Sequence, residues 1–414
     1  MCTIKRRDAC PNLAMALNDA PRRLNRLLNL LAPSGGGVEH VLRGGSGKME
    51  PTDIQMGGIW FGPFSGQEPD MSCSPTADAT IHAALALGIR DFDTAPMYGS
   101  GRCEERMGHA LNSVECPVPL SEIRVTTKSG RLMREGGSED GGYFWEQRVP
   151  APVVDPSKHL VDYTFAGARL SLQESLVRLG NGAADGSAFV GLHSLRVHDP
   201  NDTGYDRRGP YSPDDIDACL APGGHLEGLV GLRTAGLIQE VSLGMNSVGF
   251  NEVGEDRAEN VLRLIRGAPA GTFDSALLAY GYNLFNQDGV EIMLECEKRG
   301  IAVHVAGAFM MGVFDTTSDT KAPPPGGSNK SESTAQQKQQ WATLAKKHDV
   351  PLPSVALAFA FAPKVVTKIV LGMANPEQVA DNMKYVEGTK SIPAALWDEA
   401  RALGLVAPGI PTPT

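Results

Sequence analysis

The sequence has no long apolar run, no paired cysteine motif and no excess of basic residues. No apolar stretch reaches the roughly 18 residues that a membrane-spanning helix needs. The seven cysteines are scattered without a Cys-x-x-Cys pair, which favours reduced thiols in a cytoplasm-like compartment over a disulfide framework or a metal site. A formal charge of −10 argues against binding to nucleic acids or anionic membranes. We therefore predict a cytoplasmic protein without a metal, a membrane partner or a nucleic-acid partner.

Residues 1–50 differ from the rest of the chain. Four leucines between Leu24 and Leu31 recur at helical spacing and are flanked by arginines, which is typical of an amphipathic basic helix. Such a helix could be a mitochondrial targeting segment, although Asp8 and Asp19 disfavour that interpretation. The glycine-rich segments 34–37 and 44–47 indicate flexible linker. We predict that residues 1–50 form a flexible or loosely docked extension and that residues 51–414 form one domain.

From residue 54 onwards, short apolar runs alternate with helix-like runs. The short runs predict eight strands, at residues 54–61, 89–93, 123–128, 189–198, 238–244, 273–279, 301–306 and 365–371. The longer runs predict helices at residues 77–87, 102–111, 171–180, 214–235 with a break at 222–224, 258–265, 290–298, 333–347 and 376–383, with a last short helix before Gly404. Eight strand–helix alternations predict an α/β fold of the (β/α)8 TIM-barrel type. A doubly wound open sheet is the alternative, but no Gly-x-Gly-x-x-Gly follows the first strand.

Two long stretches interrupt this alternation, at residues 131–160 and 315–340. Both are rich in glycine and proline and both follow predicted strands. In a barrel, such loops lie on the catalytic face. They are interpreted either as disordered surface or as lids over a substrate or cofactor, because loops of this length are usually one or the other.

Polar side chains recur where the predicted strands end. Asp93 ends the second strand, Tyr98 follows at a glycine-flanked turn, Lys128 ends the third strand and His198 ends the fourth. Each alone is also compatible with turn chemistry or with packing. Together, and in the contexts Asp-Thr-Ala-Pro-Met-Tyr-Gly, Thr-Lys and His-Asp-Pro, they resemble the catalytic residues of the aldo-keto reductase superfamily. The resemblance covers residues 53–388.

That resemblance implies a catalytic role for each of the four residues. Moving hydride between a carbonyl and a nicotinamide requires a proton to move on the oxygen. Tyr98 is the predicted general acid and base, although an ordinary phenol has a pKa of about 10. We expect Lys128, held by Asp93, to lower the pKa of Tyr98, and His198 to orient the substrate oxygen.

Later motifs resemble the superfamily's cofactor contacts. Asn246, after Gly-Met, matches the residue that holds the nicotinamide amide. Tyr282 matches an aromatic ring that packs against the nicotinamide, and Tyr280 is the alternative for that role. In the segment 371–382, the residues predicted to bind the cofactor are Gly372, Ala374, Gln378 and Asn382. This segment contains no lysine or arginine, and an extra 2′-phosphate would lack a cationic partner there. We therefore predict NAD as cofactor, with NADP as the alternative because Lys384 lies just beyond.

Several details resemble the sugar-dehydrogenase branch of the superfamily, which includes D-threo-aldose 1-dehydrogenases and L-galactose or L-fucose dehydrogenases. They are Gly244-Met245-Asn246, His198-Asp199-Pro200 and Asp162-Tyr163-Thr164. The resemblance implies oxidation of an aldose at C1 to its lactone by a monomer or homodimer. The alternatives are a pyridoxal dehydrogenase-like activity, an NADPH-dependent reductase of aldehydes or ketones, and a nicotinamide-binding regulatory subunit without turnover.

Overall fold

The computed structural model describes residues 42–62, 73–133, 159–180, 192–200, 215–249, 255–309 and 332–414. Most of the predicted extension 1–50 and most of the two predicted insertions lie outside these ranges. No helix within the described ranges is long and apolar enough to cross a lipid bilayer.

Eight parallel strands close into a barrel, as predicted. The strands are β1 (Ile54–Gly57), β2 (Asp91–Asp93), β3 (Arg124–Ser129), β6 (Leu192–His198), β7 (Glu240–Asn246), β8 (Ser275–Ala279), β9 (Ala302–Ala306) and β10 (Val366–Gly372). Their order around the barrel is β1-β10-β9-β8-β7-β6-β3-β2. All neighbours are parallel, including β1 and β2, where Gly57 pairs with Asp93. The (β/α)8 barrel is therefore confirmed, and all the C-terminal strand ends meet at one mouth.

Helices surround the barrel in the predicted alternation. They are α1 (Pro75–Ala86), α2 (Arg102–Asn112), α3 (Phe165–Leu179), α4 (Asp215–Leu220), α5 (His225–Thr234), α6 (Arg257–Gly267), α7 (Val290–Arg299), α8 (Glu332–Lys347), α9 (Leu352–Phe361), α10 (Pro376–Gly388) and α11 (Ala394–Ala402). The predicted break at 222–224 separates α4 from α5. Helix α9 is an addition to the predicted set.

The first predicted strand is shorter than expected. It ends at Gly57, and the chain turns into a 3-10 helix at Gly58–Phe61. A side chain at Gly58 would lie 2.8 Å from Cε of Met107 and 3.1 Å from the carbonyl of Asp93. Glycine at this position avoids a tight contact with the backbone carbonyl at the end of β2.

A two-stranded antiparallel sheet follows β3 at the edges of the first predicted insertion. Strand β4 (Arg131–Met133) pairs with β5 (His159–Val161). The residues between these strands lie outside the described part of the chain, as do residues 315–331 of the second insertion.

The interpretation of residues 44–47 as flexible linker is wrong. The amide of Gly45 donates to the carbonyl of Ala362 at 2.6 Å. Gly47 has a φ of +66°, and a side chain there would lie 2.5 Å from Pro413 and 2.7 Å from the carbonyl of Ala358. These glycines permit close packing against the barrel.

The strands alternate between an apolar outer face and a polar inner face. Outward residues such as Met56, Phe92, Val125 and Leu195 are fully buried in the core between barrel and helices. The inner face carries a hydrogen-bonded layer that crosses the barrel. Its members are Gln55, Asp93, Thr126, Lys128, Arg196, Ser242 and His304.

Candidate active site

The four predicted catalytic residues lie at one mouth of the barrel. Asp93 and His198 are the last residues of β2 and β6, and Lys128 is the penultimate residue of β3. Tyr98 opens the 3-10 helix Tyr98–Gly101 that follows β2. Parallel strands that enter the barrel in one direction bring these distant positions together.

Lys128 connects Asp93 to Tyr98. Its Nζ donates to Oδ1 of Asp93 at 2.7 Å and to the carbonyl of Thr94 at 2.9 Å. The same Nζ lies 4.5 Å from the centroid of the Tyr98 ring. Burial lowers the pKa of Lys128, while the nearby charge of Asp93 opposes that shift. The ammonium is thus fixed against the phenol by a buried charge-assisted hydrogen bond.

Tyr98 does not have the lowered pKa that the sequence predicted. Burial, followed by the charges of Asp93 and Asp199, raises the pKa of Tyr98 well above its ordinary value. The lowering of the Tyr98 pKa that was expected from Lys128, held by Asp93, is therefore not seen, because burial and the two carboxylates act in the opposite direction. Ionising Tyr98 requires further positive charge in the site.

His198 faces Tyr98 as a neutral imidazole. The two rings form an edge-to-face pair with centroids 6.3 Å apart and an interplanar angle of 89°. Burial, together with the charges of Arg131 and Lys128, lowers the pKa of His198 well below its usual value. Nδ1 of His198 is buried and has no hydrogen-bond partner among the described residues. A neutral imidazole can donate one hydrogen bond to a bound oxygen.

Asp199 fixes the position of Asn246 at the end of β7. The backbone amide of Asn246 donates to Oδ1 of Asp199 at 2.7 Å, and its side-chain amide donates to Oδ2 at 3.2 Å. Asp199 has a φ of +45°, in the left-handed region, and its carboxylate lies 3.7 Å from the buried guanidinium of Arg131. Asp199 and Arg131 were not among the predicted site residues. The His-Asp-Pro motif was the available signal for Asp199.

The structure favours Tyr280 over the predicted Tyr282 as the aromatic ring beside a cofactor. Tyr282 is fully buried and stacks on Phe359 with centroids 5.1 Å apart, so its ring belongs to the core. Tyr280 directly follows β8, is partly exposed and is among the groups that raise the pKa of Tyr98. Its ring packs over Gly307, where a side chain would lie 2.4 Å from it. Tyr280 therefore replaces Tyr282 as the candidate ring for a cofactor.

The closing segment 371–382 links β10 to α10 at the same mouth. Gly372 is exposed and lies under the indole of Trp60, where a side chain would come within 2.2 Å of Nε1. Asn375 caps α10 by accepting from the amide of Gln378 at 2.9 Å. Oε1 of Gln378 accepts from the amide of Ala374 at 2.8 Å.

The N-terminus of α10 lies in this segment, and helix N-termini are common binding sites for phosphate groups. Asn382 is largely buried on α10. Cofactor contacts by Gly372, Ala374, Gln378 and Asn382 stay predictions. Lys384, the nearest cation beyond the segment, is paired with Asp381 at 2.8 Å on the surface. Within the described ranges, no group of three or more His, Cys, Asp or Glu side chains is arranged to hold a metal ion.

Comparisons with known proteins agree with this geometry. The model of the Aldo/keto reductase family matches residues 59–395. A pyridoxal 4-dehydrogenase from Microbacterium luteolum is 30% identical over 365 residues, covering 84% of this chain and 94% of that protein. A D-threo-aldose 1-dehydrogenase from a Pseudomonas species is 28% identical over 343 residues, covering 81% and 88%. The structure of a glycerol dehydrogenase from Gluconobacter oxydans superposes with a TM-score of 0.58 at 20% identity, covering 91% of this chain and 97% of that one. At that identity the structural likeness shows the fold alone.

Proposed function

The chain belongs to the aldo/keto reductase family, and from that premise we propose that it oxidises an aldose at C1 to the lactone with NAD as the acceptor. It is an oxidoreductase of a family that uses nicotinamide cofactors. The sugar, the cofactor and the direction of reaction are parts of the proposal.

The observation that carries the proposal is the position of the Lys128 ammonium. It is bonded to Asp93 at 2.7 Å and lies 4.5 Å from the Tyr98 ring centroid, and the imidazole of His198 forms an edge-to-face pair with the same ring. An acid–base phenol beside a fixed cation and a hydrogen-bond donor suits proton transfer on a substrate oxygen.

A bound oxidised nicotinamide would supply a positive charge and the acceptor for the hydride that leaves C1. Tyr98, as phenolate, accepts the proton of the anomeric hydroxyl and becomes phenol, while His198 donates a hydrogen bond to the same oxygen. The C1–O bond becomes the carbonyl of the lactone, and the proton taken up by Tyr98 is released to solvent.

Two observations on the closing segment and the cation after it support NAD over NADP. Residues 371–382 contain no lysine or arginine, the nearest cation beyond them is paired with Asp381, and a dianionic 2′-phosphate needs cationic partners. An exposed ion pair is weak, so Lys384 is the residue whose release would favour NADP.

Pyridoxal is the second candidate substrate. The relative named as a pyridoxal 4-dehydrogenase is 30% identical over most of its length, slightly above the aldose dehydrogenase at 28%. Pyridoxal, like an aldose, closes to an internal hemiacetal, so the same proton and hydride transfers apply to it.

A substrate screen tests the proposal. The protein is assayed at alkaline pH for NADH and NADPH formation with L-galactose, L-fucose, D-arabinose and pyridoxal, and in reverse with NADPH and simple aldehydes. The proposal expects NADH formation with at least one of the sugars. Turnover of pyridoxal alone supports the second candidate. Turnover only in the NADPH-dependent direction contradicts oxidation by NAD, and nucleotide binding without any turnover contradicts an enzyme.

A further inference from the structure

A buried arginine lies inside the barrel directly beneath the candidate catalytic residues. Arg196, on β6, has no exposed surface. Its Nε donates to Oδ2 of Asp93 at 3.0 Å, and its Nη1 donates to Oγ of Ser242 at 2.7 Å. Its Nη2 lies 2.8 Å from Oε1 of Gln55 and 2.7 Å from Nδ1 of His304. These partners come from four other strands, so the guanidinium occupies the centre of the barrel.

We propose that Arg196 is a positioning residue, which holds the second carboxylate oxygen of Asp93 and leaves the charge of Lys128 available to Tyr98. The inference rests on the proposed roles of Lys128 and Tyr98 in proton transfer. It adds a residue from the barrel interior to the four at the mouth.

The charge balance around Asp93 supports this role. One carboxylate is divided between two cations, with Lys128 on Oδ1 at 2.7 Å and Arg196 on Oδ2 at 3.0 Å. The group of three therefore carries a net positive charge. Without Arg196, Asp93 and Lys128 would cancel one another, and the phenolate form of Tyr98 would lose much of its electrostatic support.

The neighbouring groups do not replace that charge. Burial and Arg196 lower the pKa of His304, which is therefore neutral. Around these residues the described chain also holds Cys103, His198, Glu240, Tyr280 and the ion pair of Asp199 with Arg131. Arg131 is a cation, but its guanidinium lies 3.7 Å from the carboxylate of Asp199 rather than against Asp93. Arg196 is thus the source of the second positive charge on Asp93.

The adjacent strand leaves room for this arrangement. A side chain at Gly244 on β7 would lie 3.1 Å from Cδ of Arg196 and 3.7 Å from Cε of Lys128.

Burying an arginine is costly, and replacement of buried ion pairs by apolar residues is often neutral or stabilising. Holding the barrel together does not by itself require a cation at this position.

The test measures the titration of Lys128 directly. Lysine is labelled with 13C at Cε, and the Lys128 resonance is identified by its loss in Lys128→Met. In Arg196→Met and Arg196→Gln, the pKa of Lys128 is expected to rise by roughly 1–2 units, because a like charge within a few ångströms has been removed. The Gln variant keeps a polar amide that can donate a hydrogen bond but carries no charge, so it distinguishes loss of hydrogen bonding from loss of charge. Arg196→Lys retains the charge and is expected to titrate close to the wild type.

The kinetic arm uses the pH profile of the turnover number. Both neutral variants are expected to lose roughly tenfold or more in kcat and to shift the rising limb of the profile to higher pH, with a smaller change in KM. An unchanged Lys128 pKa in a folded Gln or Met variant overturns the inference, as does full activity with an unshifted profile. Absence of turnover by the wild-type protein overturns the proposed function instead, and the NMR titration still decides the charge balance. If Arg196→Met does not fold, Arg196→Gln carries the same expectation. If neither variant folds while Arg196→Lys does fold, the role of Arg196 is structural and the inference is overturned.

Discussion

Nζ of Lys128 lies 2.7 Å from Oδ1 of Asp93, and both side chains are almost fully buried at the mouth of the barrel. Asp93→Asn would leave the buried cations of Lys128 and Arg196 without their anion. We expect the free energy of unfolding to fall by about 3–5 kcal/mol and the pKa of Lys128 to fall further, because the charge of Asp93 raises it.

Urea unfolding measures this loss, and Asp91→Asn is the matched control. Asp91 is the first residue of the same strand, and its two partners, Arg124 and Lys368, are 46% and 17% exposed, so both cations reach water more readily than Lys128 and Arg196. A loss of stability at Asp93 no larger than the loss at Asp91 would contradict a central role for the buried pair.

Tyr280 and Tyr282 provide a paired test of the cofactor ring. Tyr280→Leu removes a partly exposed ring at the mouth and is expected to raise the KM for the dinucleotide several-fold with little change in stability. Tyr282→Leu breaks the buried stack on Phe359 and is expected to cost about 2–4 kcal/mol of stability while leaving that KM nearly unchanged. Cofactor titrations and thermal unfolding of both variants distinguish the two roles, and the reverse pattern would restore Tyr282 as the cofactor ring.

His225 predicts an acid-dependent loss of stability. Burial lowers its pKa to about 4, and its Nδ1 lies 3.1 Å from the carbonyl of Thr164. In the unfolded chain this histidine has an ordinary pKa of about 6.5. Between pH ~4 and pH ~6.5, the unfolded chain therefore binds a proton at His225 that the folded chain does not bind. The stability due to neutral His225 is thus complete above pH ~6.5, declines as the pH falls and is exhausted near pH ~4.

The His225→Asn variant isolates this contribution, because its amide can still donate to Thr164. We expect its free energy of unfolding to change by about 1–3 kcal/mol less between pH 7 and pH 4 than that of the wild type. Equal changes in the two proteins would show that His225 is not held neutral by the fold.

The sequence predicted the barrel because its alternation of short apolar runs and amphipathic helices is strong and repeated. Helix α9 was missed because Leu352–Phe361 is apolar on nearly all sides, with seven of its ten residues buried, so it has no polar face to reveal a helical period. Tyr280 and Tyr282 were confused because a shift of two residues is within the uncertainty of a strand end.

Arg196 was missed for a different reason. Its partners Asp93, Ser242, Gln55 and His304 lie on four other strands, and no local pattern connects them. A charged residue in the middle of a short apolar run gives no sign of which charge it meets across a barrel. The raised pKa of Tyr98 was missed likewise, because burial and the position of Asp199 are consequences of the closed fold.

The preference for NAD can be tested by adding the missing cation. Ala374→Arg places a guanidinium in the closing segment, where a 2′-phosphate can accept charge-assisted hydrogen bonds. We expect the ratio of kcat/KM for NADP to that for NAD to rise roughly tenfold or more. Ala374→Gln, which adds length without charge, is expected to leave the ratio close to that of the wild type. An unchanged ratio in the Arg variant would show that the absence of a cation in this segment does not set the cofactor.

The most direct measurement compares the turnover number of the Tyr98→Phe variant with that of the wild-type protein on the best substrate from the screen, together with dinucleotide binding by both. Removing one hydroxyl leaves the ring beside Lys128 and His198 but removes the proton carrier. The predicted result is a loss of roughly a hundredfold or more in kcat with nearly unchanged dinucleotide affinity. A Tyr98→Phe protein with wild-type kcat would contradict the account.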